Sequence, residues 1–250
     1  LPAVPAERVP EVLAKYEGEI QELKIKVAEK GQSLADDVAR VAAARKALPN
    51  ARLKVDANMG YTLAGALEAL RKLCEYGIIY AEQPVATIED MAALRFAIAK
   101  EGLPARIAAD ESIRKAEDPL KVARANAADL MVIKAAPLGG VRRALALVEQ
   151  AQLPAVVSSA LESSVGIATG ASLAASLPTL KYGCGLGTVS LMAEDVTDEP
   201  LIARDGFMDL RTITPSPQRL ARLATDEQTR QWWVDRVTAC YRVLERAADL

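Results

Sequence analysis

Ala105-Arg106-Ile107-Ala108-Ala109-Asp110-Glu111-Ser112 is a short apolar run that ends abruptly in two carboxylates and a hydroxyl. A strand buried on both faces reads this way: the in-and-out alternation is lost, and polar groups appear only where the strand opens to solvent. The same design recurs upstream in Leu23-Lys24-Ile25-Lys26-Val27, Leu53-Lys54-Val55-Asp56-Ala57-Asn58 and Ile78-Ile79-Tyr80-Ala81-Glu82-Gln83-Pro84. It recurs downstream in Leu130-Met131-Val132-Ile133-Lys134 and Ala155-Val156-Val157-Ser158-Ser159. From Lys26 through Asp56, Glu82, Asp110 and Lys134 to Ser158 the steps are 30, 26, 28, 24 and 24 residues. Each step holds one strand, one helix and two loops. The pattern predicts an α/β fold, a TIM-type barrel that keeps its chemistry at the C-terminal ends of the strands.

The intervals carry helical signals. Residues 33–48 place Leu34, Val38 and Val41 at helical spacing behind Ser33 as cap and Asp36-Asp37 as first-turn acids. Residues 62–76 repeat leucine on one face and close at Gly77, and Thr87 opens a helix to about residue 100. Further helices are expected at 118–125, 139–150 and 163–176. Tyr182-Gly183-Cys184-Gly185-Leu186-Gly187 reads as a glycine-rich eighth strand, and residues 1–4 as the end of a first one, followed by a helix over 5–16. Two regions result: a catalytic (β/α) barrel over 1–195 and an extension over 196–250. Its amphipathic helix, about 227–248, is expected to pack on the barrel through Trp232, Trp233, Val237, Tyr241 and Leu244. With residues 1–4 too short to complete a strand, the seam beside Gly183 is expected to be open.

At 250 residues the length matches one such barrel, and a hydrophobic fraction of 51% supplies a large core. A net charge of −2 without a basic block excludes a nucleic-acid partner on electrostatic grounds. Cys74, Cys184 and Cys240 are isolated, so neither a disulfide framework nor a zinc site is indicated. No run of 18 apolar residues is present, which argues against membrane insertion, and the expected location is the cytoplasm. The sequence is silent on oligomeric state. Histidine is absent, so acid–base chemistry falls to Lys, Asp, Glu, Tyr or Cys.

Three successive strands end in Asp56, Glu82 and Asp110. Carboxylates side by side at a barrel mouth, without His or Cys, select Mg2+, with Mn2+ possible. The competing reading has each acid cap the next helix. Lys26 and Lys134 flank the trio from opposite sides, and a lysine beside a cation and a second lysine becomes a usable base. The competing reading makes them structural ion pairs. Lys24 is the electrostatic neighbour of Lys26, and Lys54 is expected to neutralise charge below the site. Asn58 and Gln83 are expected to orient the metal ligands, and Glu111, by strand alternation, to point away from the mouth.

Lys24-Ile25-Lys26, Asp56-Ala57-Asn58, Glu82-Gln83-Pro84, Asp110-Glu111-Ser112 and Lys134 together resemble the enolase superfamily, in its muconate-lactonising-enzyme-like branch. The contexts Val27-Ala28-Glu29-Lys30-Gly31-Gln32-Ser33-Leu34-Ala35-Asp36-Asp37, Ala109-Asp110-Glu111-Ser112-Ile113-Arg114 and Ser158-Ser159-Ala160-Leu161-Glu162-Ser163-Ser164-Val165-Gly166 are similar to a dehydratase group of that branch. The resemblance implies a modified (β/α)7β barrel beneath an N-terminal α+β capping domain. Since Leu1 falls inside the first strand, that domain is expected to be absent from these 250 residues, either because they are part of a longer protein or because the capping function is missing. It implies a Mg2+ held by Asp56, Glu82 and Asp110 that binds a substrate carboxylate and stabilises an enediolate. Lys26 would remove the α-proton and assist loss of a hydroxyl as water, and Lys134 would remain cationic. The substrate is then a small-molecule carboxylate, with Ser158 and Ser159 candidates for holding a second carboxylate group. Two alternatives stand beside the dehydratase: a racemase or epimerase of N-acylamino acids or dipeptides, and a barrel fragment without activity.

Overall fold

The β-branched runs fold as six parallel strands in chain order: β1 (Glu22–Lys26), β2 (Arg52–Asp56), β3 (Ile78–Glu82), β4 (Ile107–Ala109), β5 (Leu130–Ile133) and β6 (Ala155–Val157). This computed structural model describes residues 1–16 and 18–248, the side chains of the last three excepted. Parallel neighbours need a crossover between them, which the helices supply. The helices are α1 (Val9–Leu13), α2 (Leu34–Ala47), α3 (Leu63–Leu73), α4 (Ile88–Glu101), the single turns α5 (Glu111–Arg114) and α6 (Lys121–Arg124), α7 (Val141–Ala151), α8 (Ser164–Ala175), α9 (Pro217–Arg222) and α10 (Glu227–Ala248), of which α2 to α7 connect successive strands. Their starts follow from local chemistry. Ser33 and Asp36 form a reciprocal capping box on α2, and Thr62 and Thr87 accept from the amides of Gly65 and Asp90. Gly77 and Gly102 end their helical segments at φ 67°, a conformation only glycine adopts without strain.

Side-chain alternation then divides the sheet into two faces. Ile25, Leu53, Val55, Ile107, Met131 and Ile133 belong to one large buried cluster with Val41, Leu70 and Leu94 of the helices. The opposite face gives a smaller cluster of Tyr80, Ala108, Leu130, Val132, Val156 and Tyr182, in which Tyr80 and Tyr182 meet edge to face at 5.5 Å. Lys24, Lys26, Lys54, Asp56 and Glu82 share this second face, so polar groups stack above an apolar floor.

The structure corrects the expected strand count. The sheet is a curled half-barrel of six strands rather than eight. The glycine-rich stretch 182–187 forms one parallel bridge, Ser158 to Gly185, because glycines at 183, 185 and 187 offer no side chains to hold a ladder. Leu1 lies alongside β1, its nitrogen donating to Lys24 O at 2.6 Å and its carbonyl accepting from Lys26 N at 2.9 Å, but the run is too short to be a strand. Side chains bridge the remaining gap. Arg52 donates to Lys181 O, Lys54 donates to Gly183 O, and the amide of Gly183 donates to Glu22 Oε2. A second correction concerns α10. The helix forms as expected, but Trp232, Trp233, Val237, Tyr241 and Leu244 are more than half exposed, so it is not packed on the barrel. Residues 249 and 250 of the extension lie outside the described residues.

Candidate active site

The ends of the first five strands carry, in spatial order, Lys26, Asp56, Glu82, Asp110 and Lys134. The first three are the last residues of β1, β2 and β3; the other two directly follow β4 and β5. Ion pairs gather them in two groups, one around Asp56 and one around Asp110. Lys26 Nζ lies 2.6 Å from Asp56 Oδ2 and also donates to Asn58 Oδ1. Lys24, two residues back on the same face, reaches the same Asp56 oxygen at 3.2 Å and Glu82 Oε1 at 2.8 Å. Lys134 donates to both oxygens of Asp110, at 2.8 and 2.7 Å.

Capping does not account for the three acids. Thr62 and Thr87 cap α3 and α4, and Asp110, though at the N-terminus of α5, makes no capping hydrogen bond. The lysines do form ion pairs, as the competing reading required. As the side chains stand, no group of three or more Asp, Glu, His or Cys among the described residues is gathered to hold a metal ion.

Burial makes this balance costly for Glu82, which is fully buried. Desolvation pushes its carboxyl up to about 7, Lys24 opposes the rise, and Asp56 and Asp110 add to it. Its Oε2 has no hydrogen-bond partner. Asp56 is shifted the other way: burial raises it, but Lys24 and Lys26 together hold it below the usual carboxylate range. Lys24 gains from Glu82 and Asp56 more than burial removes, and so stays protonated far above neutrality.

Gln83 and Asn58 lie beside the acids. Gln83 Oε1 accepts from the amides of Asp110 and Ser112 at 3.0 and 3.1 Å, and its Nε2 donates to Ser112 Oγ, fixing the exit of β4. Lys54 turns down from the mouth to Glu22 Oε2 at 2.7 Å, and burial lowers its pKa. Ser158 and Ser159 contact Gly185 O, and Ser159 also meets Thr188 Oγ1 at 2.9 Å, so both hydroxyls engage the glycine-rich segment. Of the backbone amides beyond them, that of Ala160 donates to Glu162 and that of Ser164 to Asp195.

Glu111 is a correction. It points into the cluster rather than away, accepting from Asn58 Nδ2 at 3.3 Å and Arg114 Nη2 at 2.7 Å, with Oε2 buried and unpartnered. Strand alternation failed because the chain turns helical at Glu111 itself. The same turn returns Arg114 over Asp110, Nε to Oδ1 at 3.1 Å, a role the sequence reading did not assign to it. Helical spacing of Asp110, Glu111 and Arg114 was the available signal. Four cations, Lys24, Lys26, Arg114 and Lys134, thus face the four carboxylates of Asp56, Glu82, Asp110 and Glu111.

Comparison with known proteins gives this ring a context. Residues 6–215 match the family described as enolase C-terminal domain-like. The chain is 55% identical over 245 residues to the o-succinylbenzoate synthase of Mycolicibacterium smegmatis, covering 98% of this chain and 74% of that protein. It is 51% identical to the synthase of the same name from Mycobacterium leprae, covering 98% and 71%. Among solved structures, muconate lactonizing enzyme from Pseudomonas putida superimposes with a TM-score of 0.76 at 26% identity, over 89% of this chain and 64% of that one. The chain therefore spans less than two thirds of that enzyme's length. No helix among the described residues is long and apolar enough to cross a membrane.

Proposed function

The chain belongs to the family of enolase C-terminal domain-like barrels, and from that premise we propose that it acts as its mycobacterial relatives are named, as an o-succinylbenzoate synthase. The reaction is loss of water from 2-succinyl-6-hydroxy-2,4-cyclohexadiene-1-carboxylate to give 2-succinylbenzoate, at the C-terminal ends of the six parallel strands. One observation carries the reading: the order Lys26, Asp56, Glu82, Asp110, Lys134 across five consecutive strand ends puts two amines on either side of three carboxylates.

The donor set fits Mg2+, being all oxygen, and the buried, unpartnered Oε2 of Glu82 is an atom a cation would satisfy. Asp56, Glu82 and Asp110 are the residues that would hold it. When bound it would neutralise charge developing on the substrate carboxylate, without which an α-proton is far too weak an acid to remove. Lys26 takes that proton on Nζ. The electron pair of the C–H bond becomes the new ring double bond as the C–O bond breaks, and the proton passes from Lys26 to the departing hydroxyl, which leaves as water. Lys134, held by both oxygens of Asp110, keeps a fixed positive charge beside the reacting carbon and moves no proton. Lys24 holds Asp56 ionised and opposes the protonation of Glu82 that burial favours, and Asn58 steadies the Lys26 ammonium. Ser158 and Ser159 are assigned to the succinyl carboxylate, for which they would exchange their present contacts with Gly185 and Thr188.

The test follows ultraviolet absorbance of the aromatic product with the cyclohexadiene substrate, beside optical rotation with N-acylamino acids. Aromatisation is expected. Racemisation alone would move the chain to the epimerase reaction of the same lysine pair, and neither activity would leave a barrel without catalysis.

A further inference from the structure

Asp37 and Arg40, one turn apart on α2, form an ion pair at 2.9 Å with 1% and 0% of their surface exposed. Two charges buried only for each other add little stability, because desolvation offsets most of their attraction. These two serve other groups. Arg40 donates from Nη1 to the carbonyl of Lys26 at 2.9 Å, from Nε to that of Val4 at 2.6 Å, and from Nη2 to Gln32 Oε1. Asp37 Oδ2 accepts from the amide of Ala28 at 2.9 Å and from the hydroxyl of Tyr61 at 2.6 Å. Ala28 stands at φ 58°, a left-handed conformation that disfavours a non-glycine residue by about 1–2 kcal/mol. Its bond to Asp37 holds a turn that the backbone alone would not keep.

Tyr61 lies in the loop that follows β2, and this loop presses on the one that follows β1. A Cβ at Gly60 would stand 2.6 Å from Ala28 O. The exit of β1, carrying Lys26, and the exit of β2, carrying Asp56 and Asn58, therefore meet on one buried carboxylate. The side chain of Lys26 is 39% exposed, so packing does little to aim its amine. Its direction depends on where the backbone is held.

We infer that Asp37, Arg40 and Tyr61 are positioning residues that set Lys26 against Asp56 and Asn58, beyond any part they play in holding α2. Misplacing a reacting group by 1 Å costs up to about 10²-fold in rate. The kinetic arm of the test rests on the proposed dehydration; a second arm does not.

Tyr61→Phe removes one hydroxyl and keeps the ring. In the full chain under saturating Mg2+ it should lower kcat about tenfold with KM within about twofold. The primary isotope effect with substrate deuterated at the α-carbon should rise, since proton removal becomes slower relative to the other steps. A role confined to folding scales kcat with the folded fraction and leaves the isotope effect unchanged, and that result overturns the inference. Independently of turnover, reductive 13C-methylation gives Lys26 an NMR signal, assigned by its loss in Lys26→Arg. That signal should shift in Tyr61→Phe and not in Tyr76→Phe, whose hydroxyl lies outside the network. An unmoved signal overturns the inference. A wild-type chain that aromatises nothing counts against the proposed reaction, and the NMR result then decides the inference alone.

Discussion

The two flanks of the strand-end ring hold their lysines differently. On the β1–β3 flank one oxygen, Asp56 Oδ2, serves two ammonium groups, Lys24 at 3.2 Å and Lys26 at 2.6 Å. On the β4–β5 flank one ammonium takes both oxygens of Asp110, and Arg114 closes over the same carboxylate. Lys26 has 39% of its side chain exposed and Lys134 has 9%. A half-exposed amine that shares one carboxylate oxygen with Lys24 suits a group that must release and regain a proton. A buried amine bound to both oxygens of its carboxylate suits a charge that stays. The symmetrical sequence of lysines and acids thus folds into an unsymmetrical pair of tasks.

The largest effect should come from the lysines themselves. Lys26→Ala should reduce dehydratase kcat by about 10³-fold, within the usual range for loss of a general base. Lys134→Ala should cost about 10²–10³-fold, as for loss of a fixed stabilising charge. Arginine separates the tasks. Lys134→Arg keeps a cation suited to two carboxylate oxygens and should retain turnover to within about tenfold, whereas Lys26→Arg should be as inactive as the alanine variant. Equal losses in the two arginine variants would erase the distinction between the flanks.

Next in size, Asp110→Ala should weaken Mg2+ binding by roughly 10²-fold in calorimetric titration while the far-ultraviolet circular dichroism stays that of wild type. Unchanged affinity would remove Asp110 from the set that holds the ion. Smaller still is a pH effect from Glu82, which lies between the flanks. Its folded carboxyl is pushed up to about 7 from an ordinary 4.5, so between those values the folded chain holds a proton that the unfolded chain has lost. Stability of the metal-free protein should therefore fall as pH rises through that window. Thermal midpoints in a chelator, from pH 5 to 7.5, should show a slope in wild type that is shallower in Glu82→Gln. Equal slopes would mean that burial does not govern this carboxyl. The smallest effect is expected from deleting residues 227–250, whose described side chains are exposed. The thermal midpoint should move by no more than about 2 °C, and a larger drop would show that the helix braces the barrel after all.

What the sequence reveals divides along the same physical line. Strands bounded by polar ends and helices bounded by Ser33, Thr62 and Thr87 were legible because their causes lie within a few residues. The strand-end placement of Asp56, Glu82 and Asp110 was legible too, since regular spacing fixes which residue ends each strand. The sharing of Asp56 between Lys24 and Lys26 was only half legible: alternation puts both on one face, but not on one oxygen. Glu111 was misread because strand logic was carried one residue past the point where the chain turned helical. Arg40 gave no signal, for its four acceptors come from residues 4, 26, 32 and 37, distant in sequence except one. The exposure of α10 was misjudged for a related reason: an apolar stripe says that a face can be buried, and not what covers it.

The seam beside Gly183 has a consequence for the order of assembly. Glu22 and the amide of Gly183 are 161 residues apart in the chain, and Lys54 and the carbonyl of Gly183 are 129 apart, whereas neighbouring strands are joined across a few tens of residues. Closing long loops is entropically costly and is favoured only after shorter ones have formed. The six strands should zip in chain order first, and the clasp of Glu22, Arg52 and Lys54 on residues 181–183 should be the final event, a latch thrown on a sheet already curled. Pulse-labelling hydrogen exchange during refolding reads this directly. The amide of Gly183 should gain protection after those of β2 and β3, and simultaneous protection would mean that the sheet takes its curvature only as the latch engages.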